Sequence, residues 1–243
     1  MSLVLSDNHF SGSIPSAIQF LVNVNTLVLA QNNFESTIPS ELGMLQNLNL
    51  LSLTGNSLSG ALFSEVGLLV NVQTILLDNN RLAGVLPTEL GNAHSLETID
   101  LSNNALSGSI PSEIGNVKNL HSFLLGSNVL VGTLPPQMGN LYNLVELDVH
   151  DNSLTGTIPT TFGDLKALKK LNLSNNSLIG IVPLKVWQVK VKDMFLSGNS
   201  LSGAVPDFVC VSLQSMGGIL QVNCHDMICS CCVCGDDTSA SSR

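Results

Sequence analysis

A repeat of 24 residues constrains the fold of this chain more than any other feature of its sequence. The segment 99–122 opens with Ile-Asp-Leu-Ser-Asn-Asn-Ala-Leu-Ser-Gly-Ser-Ile-Pro, and similar segments precede and follow it. The pattern restarts at residues 3, 27, 51, 75, 99, 123, 147, 171 and, after one unit of 23 residues, 194. A fixed period of this length is typical of a solenoid, in which each unit forms one coil and stacks on its neighbours. The coils are numbered 1 to 9 below, and positions are counted from the first residue of each coil.

The first six positions of each coil predict a short strand that ends in an abrupt turn. In coil 5, apolar Ile99 and Leu101 alternate with polar Asp100 and Ser102, as in a strand with one buried face. Because a chain that turns inward leaves backbone groups unpaired, a polar side chain is needed there, and we expect an amide to donate to one coil and to accept from the next. Position 6 is an asparagine in all nine coils: Asn8, Asn32, Asn56, Asn80, Asn104, Asn128, Asn152, Asn176 and Asn199.

This role of the position-6 asparagine sets an expected cost for its removal. Asn104→Ala should destabilise the fold by about 1–3 kcal/mol, because buried backbone groups lose their partners. Asn103→Ala, at the neighbouring and exposed position, should change the stability by no more than about 0.5 kcal/mol.

The second half of each coil predicts a tight bend followed by a single helical turn. Position 10 is Gly except in coil 2, where Ser36 replaces it, and a bend with positive φ favours Gly. Position 13 is Pro except in coil 3, where Phe63 replaces it, and Pro holds the preceding residue extended. A motif such as Ser-Glu-Ile-Gly follows, and it predicts a single helical turn that ends at the Gly.

The complete pattern of a coil is Leu-x-Leu-x-x-Asn-x-Leu-x-Gly-x-Ile-Pro-x-x-Leu-Gly-x-Leu-x-x-Leu. Over about residues 2–209 it resembles the plant-type leucine-rich repeat of receptor ectodomains and polygalacturonase-inhibitor-like proteins. The resemblance implies an α/β-type, mostly β solenoid: a right-handed superhelix with a parallel concave sheet, short 3-10 turns on the convex side and a second strand row at Gly-x-Ile-Pro. The predicted domains are nine repeats over residues 1–209, a cysteine-rich cap over 210–234 and a disordered tail over 235–243.

Composition and charge exclude several classes of protein. The 243 residues carry a net charge of −9, and an acidic chain provides few of the lysine and arginine contacts that nucleic acid requires. No apolar run reaches the roughly 18 residues of a membrane span, and no signal peptide is evident. The sequence enters the strand of coil 1 directly, without a polar cap. We therefore expect a carboxy-terminal part of a longer protein, with its cap and any membrane anchor upstream.

Polar and apolar side chains combine on the predicted concave face of coils 4 to 7. Position 24 of one coil and positions 2, 4 and 5 of the next should project from this face, because side chains alternate along a strand. Since neighbouring parallel strands lie about 4.8 Å apart, Asp100 and Asp148 should be roughly 10 Å apart with Leu124 between them. We predict that this concave patch binds a protein, peptide or glycan, although a merely solvated sheet face would show the same pattern. The residues of the concave patch are Leu76, Asp78, Asp100, Leu124, Glu146, Asp148, His150 and Asp151.

A catalytic role for the concave patch is disfavoured. Two carboxylates at a suitable separation are typical of glycosidases, and His150 beside Asp148 and Asp151 could act as a base. An open sheet, however, offers no cleft that excludes water. The sequence also contains no nucleophile elbow, phosphate-binding loop or His-Glu-x-x-His helix. We predict no catalytic residue, no metal site and no cofactor.

Basic residues concentrate in the stretch 166–193. It could dock an acidic partner or an anionic polysaccharide, or it could be a solvated flank that keeps an acidic solenoid soluble. Trp187 replaces the usual Gly here, and residues 189–192 alternate like a strand. Two glycosylation sequons begin at Asn172 and Asn175 and predict glycans at this end of the concave face. The lysines of the stretch are Lys166, Lys169, Lys170, Lys185, Lys190 and Lys192.

All six cysteines lie near the carboxy terminus: Cys210, Cys224, Cys229, Cys231, Cys232 and Cys234. An even number confined to this segment predicts disulfides that close the last coil, and therefore an oxidising compartment. Adjacent Cys231 and Cys232 should have different partners, and the connectivity is open among 15 pairings. A zinc site is the alternative, although these spacings are tighter than those of structural zinc sites. The segment resembles the cysteine-rich tail of plant-type repeat proteins of diatom-like algae.

Together these patterns predict an extracellular or cell-surface recognition module without enzymatic activity, as part of a receptor-like protein. Two other functions stay open. The chain could inhibit a secreted polysaccharide hydrolase, as the resemblance to polygalacturonase inhibitors allows, or it could be a structural or adhesion repeat with no discrete ligand. The sequence does not name the ligand, because a few exposed side chains on a repeat scaffold carry no general code.

Overall fold

The computed structural model describes residues 1–235 as a solenoid, and the predicted disordered tail lies outside the described residues except for Gly235. Parallel strands form an 11-stranded concave sheet in chain order. These strands are Ser2–Val4, Thr26–Val28, Leu50–Ser52, Thr74–Leu76, Thr98–Asp100, Ser122–Leu124, Glu146–Asp148, Lys170–Asn172, Asp193–Phe195, Ile219–Val222 and Val233–Cys234. The predicted solenoid with a parallel concave sheet is confirmed.

Two shorter sheets and a series of 3-10 turns complete the coils. One 5-stranded parallel sheet contains Ser11–Gly12, Asn33–Thr37, Ser57–Gly60, Arg81–Val85 and Ala105–Ser107. The other contains Val131–Thr133, Ser153–Gly156, Ser177–Ile181, Ser200–Ala204 and Met227–Ile228. The 3-10 turns are Ser16–Phe20, Ser40–Met44, Ser64–Leu68, Thr88–Asn92, Ser112–Asn116, Pro136–Asn140 and Thr160–Asp164. Within residues 1–235, no helix has both the length and the apolar character that crossing a bilayer requires.

Equivalent positions of neighbouring coils stack on one another. In the concave sheet Ile75 pairs with Ile99, and Ile99 pairs with Phe123. These side chains of position 1 are fully buried, as are Leu77 and Leu101 of position 3. A continuous apolar core therefore runs along the solenoid, and each coil can bury its apolar side chains only because its neighbours are present.

The position-6 asparagines bind each coil to the coil before it. Asn104 Nδ2 donates to the carbonyl of Leu77 in coil 4 at 3.1 Å and to that of Leu101 in its own coil at 3.0 Å. Its Oδ1 accepts the backbone N–H of Leu82, also in coil 4, at 2.9 Å. The prediction that the donor and the acceptor would reach opposite neighbours is wrong, because both reach the preceding coil. The same bonds recur at Asn32, Asn56, Asn80, Asn128, Asn152, Asn176 and Asn199.

Glycine at position 17 determines how closely the helical turns of neighbouring coils approach. A Cβ atom on Gly115 would overlap the backbone carbonyl oxygen of Gln137 in the next coil. Coil 8 has Trp187 at this position, and its turn is the short helix α1 (Leu184–Trp187) instead of a 3-10 turn. The Trp187 side chain is buried at the end of the core. Residues 189–192, which alternate like a strand in sequence, form an irregular connection and no strand.

The cysteine-rich segment closes this end of the described solenoid. Helix α2 (Asp207–Met216) crosses the predicted boundary between repeats and cap, and Gly217 ends it with a φ of +60°. The last two strands of the concave sheet follow this helix. The prediction that Cys231 and Cys232 have different partners is confirmed. The six cysteines form the disulfides Cys210–Cys231, Cys224–Cys234 and Cys229–Cys232.

Candidate ligand site on the concave face

The concave sheet aligns four residues of the concave patch in one row, at position 2 of successive coils. Leu76 pairs with Asp100, Asp100 pairs with Leu124, and Leu124 pairs with Asp148. Because equivalent residues of parallel strands face the same side of a sheet, these four side chains project together from the concave face. The other residues of the patch flank this row: Asp78, Glu146, His150 and Asp151.

Asp100 lies in this row between two leucines and is partly buried. Its hydrogen-bond partner is Ser102 of the same coil, whose backbone N–H donates to Oδ1 at 2.9 Å. Burial raises the pKa of Asp100 above its ordinary value, hydrogen bonds from Ser102 lower it, and the charges of Asp78 and Asp148 raise it. A cationic group placed beside this carboxylate would offset the cost of its ionisation, and Asp100 is thus suited to recognise positive charge.

Asp148, the second carboxylate of the row, holds its neighbours in place. It is only 9% exposed. Its Oδ1 accepts the backbone N–H of His150 at 3.1 Å and also contacts the ring Nδ1 of that residue. Its Oδ2 accepts a hydrogen bond from Asn172 Nδ2 at 3.1 Å. Since both oxygens are engaged, Asp148 positions His150 and Asn172, whereas Asp100 is more open to a ligand.

His150 extends this polar network over coils 6 to 8. Its Nε2 lies 3.5 Å from the hydroxyl oxygen of Ser127 in coil 6 and 3.7 Å from Oδ2 of Asp151. The other oxygen of Asp151 accepts a hydrogen bond from Asn175 Nδ2 in coil 8 at 2.7 Å. These contacts connect three coils through side chains, so that this part of the patch is held in one arrangement.

The two remaining carboxylates of the patch are also held by neighbouring coils. Glu146 Oε1 accepts a hydrogen bond from Lys170 Nζ at 2.8 Å, and this bond raises the pKa of Lys170, against the lowering effect of burial. Asp78 accepts hydrogen bonds from Thr54 Oγ1 and Asn79 Nδ2, both at 2.6 Å. Asp100 is thus the one carboxylate of the patch to which no side chain of another coil donates a hydrogen bond within residues 1–235.

Sequence reasoning placed the patch but missed the partners that hold it. Thr54, Ser127 and Lys170 were not among its predicted residues, and Asn172 was considered only as a glycosylation site. The repeat period was the available signal, because most of these bonds join residues 24 apart. The pairs with this separation are Thr54–Asp78, Glu146–Lys170, Asp148–Asn172 and Asp151–Asn175.

The two sequon asparagines both belong to this network. Asn172 is partly buried, and its Oδ1 accepts a hydrogen bond from the hydroxyl group of Ser174, the third residue of its own sequon, at 2.7 Å. Asn175 is exposed at the edge of the concave face. A glycan on either residue would displace its amide from the carboxylate it now contacts. Glycosylation at both positions stays a prediction.

Two other features of the described residues offer less to a ligand. A cavity of about 20 Å³ lies beneath helix α2, between Trp187 and Leu213, and is large enough only for water. Three cysteine sulfurs, those of Cys210, Cys229 and Cys231, lie within 4.8 Å of one another. Each of them is already in a disulfide, so these sulfurs are not available as thiolate ligands.

Leucine-rich repeat profiles match several parts of the chain. One profile, described as leucine rich repeat, matches residues 142–201. A second profile of the same description matches residues 1–21, 71–93 and 95–117. A comparison with curated proteins gives no match.

Solved structures of plant receptor ectodomains are similar to this chain in both fold and sequence. The plant peptide hormone receptor RGFR1, in complex with RGF2, is 36% identical, with a TM-score of 0.81 over 83% of this chain and 32% of that chain. The leucine-rich repeat ectodomain of the membrane receptor kinase GASSHO1/SCHENGEN3 from Arabidopsis thaliana, in complex with Casparian strip integrity factor 2, is 36% identical, with a TM-score of 0.83 over 93% of this chain and 26% of that chain.

A third ectodomain shows the same relationship. The Arabidopsis receptor kinase HAESA, in complex with an extended IDA peptide hormone, is 34% identical, with a TM-score of 0.80 over 84% of this chain and 35% of that chain. The present chain therefore spans between 26% and 35% of the length of these three ectodomains.

Proposed function

The chain belongs to the leucine-rich repeat family, and from this premise we propose that it is an extracellular, non-enzymatic recognition module that binds an extended basic peptide on its concave face. Of the receptor structures described above, RGFR1 is a peptide hormone receptor in complex with RGF2, HAESA is in complex with an IDA peptide hormone, and GASSHO1/SCHENGEN3 is in complex with Casparian strip integrity factor 2. Their likeness to this chain supports a peptide ligand. The curved sheet of a solenoid is suited to such a ligand, because it offers one row of side chains per coil.

One observation carries the proposal, the open carboxylate of Asp100 between two leucines. Leu76 and Leu124 provide apolar contact on either side, and the burial of Asp100 makes its ionised form costly until a cation pairs with it. A peptide crossing the coils would therefore place a lysine or arginine at Asp100 and an apolar side chain at a leucine. The network around Asp148 and His150 would fix the adjoining surface, because its groups are already hydrogen bonded to one another.

The disulfides support an extracellular location. Three disulfides close the carboxy-terminal end of the described residues, and disulfides of this kind persist in oxidising compartments. Family membership supports the absence of catalysis, since the repeat is a scaffold whose function depends on the side chains it presents.

Selection of random peptides displayed on phage tests the proposal without a known ligand. The wild-type protein is the bait, and enriched peptides are then measured by titration against Asp100→Asn and against Glu113→Gln. Glu113 is an exposed carboxylate on the 3-10 turn of the same coil and is the matched control. We expect enriched peptides to combine basic and apolar residues. Their affinity should fall by about 10-fold or more in Asp100→Asn, as for loss of a charged hydrogen bond, and should be unchanged in Glu113→Gln.

Three results would count against the proposal. Enriched peptides that bind Asp100→Asn as tightly as wild type would remove the carboxylate from the site. No enrichment at all would favour a structural repeat without a discrete ligand. Inhibition of an added polygalacturonase by the wild-type protein would instead favour the hydrolase-inhibitor function.

A further inference from the structure

Position 20 of coils 5 to 8 forms a row at the edge of the solenoid, just after each helical turn. This row contains Lys118, Tyr142, Lys166 and Lys190, one residue per coil, and all four are exposed. Lys169, at position 23 of coil 7, and Lys192, at position 22 of the 23-residue coil 8, extend the row, and the backbone N–H of Lys192 donates to the carbonyl of Lys169 at 2.8 Å. These six residues are called the lysine edge below. It lies outside the concave patch, and its function does not depend on the proposed function above.

The charges of the lysine edge are not neutralised by the described part of the chain. The lysine salt bridges within residues 1–235 join Lys170 to Glu146 and Lys185 to Asp164, and neither lysine belongs to the edge. The ammonium groups of Lys118 and Lys166 instead donate to backbone carbonyls at the ends of their 3-10 turns. A carbonyl orients an ammonium group but does not cancel its charge. The edge therefore concentrates five positive charges on a chain whose net charge is −9.

Tyr142 adds a flat apolar surface to this row of cations. Its side chain is 58% exposed, and it lies between the coils that carry Lys118 and Lys166. The ammonium group of Lys118 is 5.8 Å from the centre of the tyrosine ring. An exposed aromatic ring can stack on the C–H face of a sugar, whereas neighbouring ammonium groups can pair with carboxylates.

We propose that the lysine edge binds an acidic polysaccharide of the polyuronate type. Neighbouring coils are about 4.8 Å apart, which is close to the length of one sugar ring, and a polyuronate carries one carboxylate on each ring. An open edge cannot enclose a small molecule, and a single exposed ion pair contributes little to binding. A polymer that contacts several coils at once adds these small contributions together. The polysaccharide would then hold the module in place while the concave face stays free.

Binding to polygalacturonate, measured by calorimetry at low salt, tests the inference. Fully methyl-esterified polygalacturonate is the matched probe, because it has the same sugars without the charge. We expect the charged polymer to bind, added salt to weaken the binding, and the esterified polymer not to bind. The quadruple variant Lys166→Gln, Lys169→Gln, Lys190→Gln, Lys192→Gln should bind at least 10-fold more weakly. A double variant, Lys170→Gln and Lys185→Gln, removes lysines that already have carboxylate partners and should bind almost as wild type.

Tyr142 separates a polysaccharide site from a general anionic site. Tyr142→Ala should weaken polygalacturonate binding severalfold, whereas Tyr142→Phe, which keeps the ring, should bind as wild type. Polyglutamate, an acidic polypeptide without sugar rings, should bind more weakly than polygalacturonate at equal charge. The inference is overturned if wild type does not bind polygalacturonate, if the quadruple variant binds equally well, or if polyglutamate binds as tightly and Tyr142→Ala has no effect.

Discussion

Asn104→Ala tests how the coils are joined, because the structure attributes the expected loss of stability to a single backbone N–H group, that of Leu82. The side chain accepts the backbone N–H of Leu82 and donates to three carbonyls. Only the N–H of Leu82 would be left without a partner among residues 1–235, and one buried, unsatisfied donor costs about 1–3 kcal/mol. Each carbonyl retains another donor: Leu77 keeps Asn80, Leu101 keeps Asn128 and Ser102 keeps the backbone of Asn79.

The matched control for this variant is Asn116→Ala. Asn116 lies in the same coil, is exposed, and its side chain makes no hydrogen bond within residues 1–235. Asn103→Ala, which the sequence suggested as a neutral exchange, is less suitable. Asn103 has a φ of +54°, a left-handed conformation that Asn tolerates better than Ala. We now expect Asn103→Ala to cost about 1 kcal/mol for this backbone reason.

Urea unfolding, followed by circular dichroism and by the fluorescence of Trp187, measures the effect. For an m value of about 3 kcal/mol/M, a loss of about 1–3 kcal/mol lowers the Asn104→Ala midpoint by roughly 0.3–1 M, whereas the Asn116→Ala midpoint should stay at the wild-type value. Trp187 is buried in coil 8 and reports whether distant coils unfold together with coil 5. Equal midpoints for the Asn104 and Asn116 variants would refute the proposed accounting of the hydrogen bonds.

Three further predictions follow from the same structure. Burial raises the pKa of Asp100 in the folded protein, so the free energy of unfolding of the wild type falls as the pH rises through that pKa. The Asp100→Asn variant cannot ionise at this position and should have a higher urea midpoint than wild type near neutral pH. Below about pH 3.8, where the carboxyl group is protonated in both the folded and the unfolded wild type, this difference should disappear. Gly115→Ala should cost about 1–3 kcal/mol in urea unfolding, because its Cβ meets the carbonyl of Gln137, and an unchanged midpoint would contradict the close approach of the turns. Unreduced protein should show no free thiols on titration in denaturant. Reduction of the disulfides should change the fluorescence of Trp187 before it changes the circular dichroism of the earlier coils, because each coil depends mainly on its neighbours. Loss of both signals at the same time would contradict the idea that the disulfides stabilise chiefly the last coils.

The fold could be predicted from the sequence because one rule repeats along the chain. Ile99 and Leu101 alternate with polar residues, and the same alternation one period away fixes both the strand and its partner. No such rule decides whether the side chain of Asn104 bonds to the preceding or to the following coil, because its donor and its acceptor could pair with backbone groups of either one. The connectivity of six clustered cysteines was also beyond the sequence, since it depends on how helix α2 places Cys210.

The alignment of Asp100, Leu124 and Asp148 in one row could be predicted, but the different surroundings of the two carboxylates could not. Asp100 and Asp148 occupy the same position of their coils and look equivalent in sequence. Their difference arises from their neighbours: His150 and Asn172 engage Asp148, whereas Leu124 and Leu76 cannot donate a hydrogen bond to Asp100. Such differences depend on how side chains of neighbouring coils are oriented toward one another, and the alternation of residues within one strand does not predict this.

The backward direction of the asparagine bonds has a consequence for how the protein is made. A ribosome delivers the chain from its amino terminus, so that each coil emerges after the one before it. The amide of Asn104 finds its partners at Leu77 and Leu82, residues that have already left the ribosome when Asn104 appears. Each new coil thus supplies the side-chain acceptor for a backbone N–H of the coil before it, whereas the backbone N–H groups of its own turn, such as those of Asn103 and Asn104, bond to the coil that follows. Synthesis and folding can proceed in the same direction, with the disulfides of the last segment formed at the end.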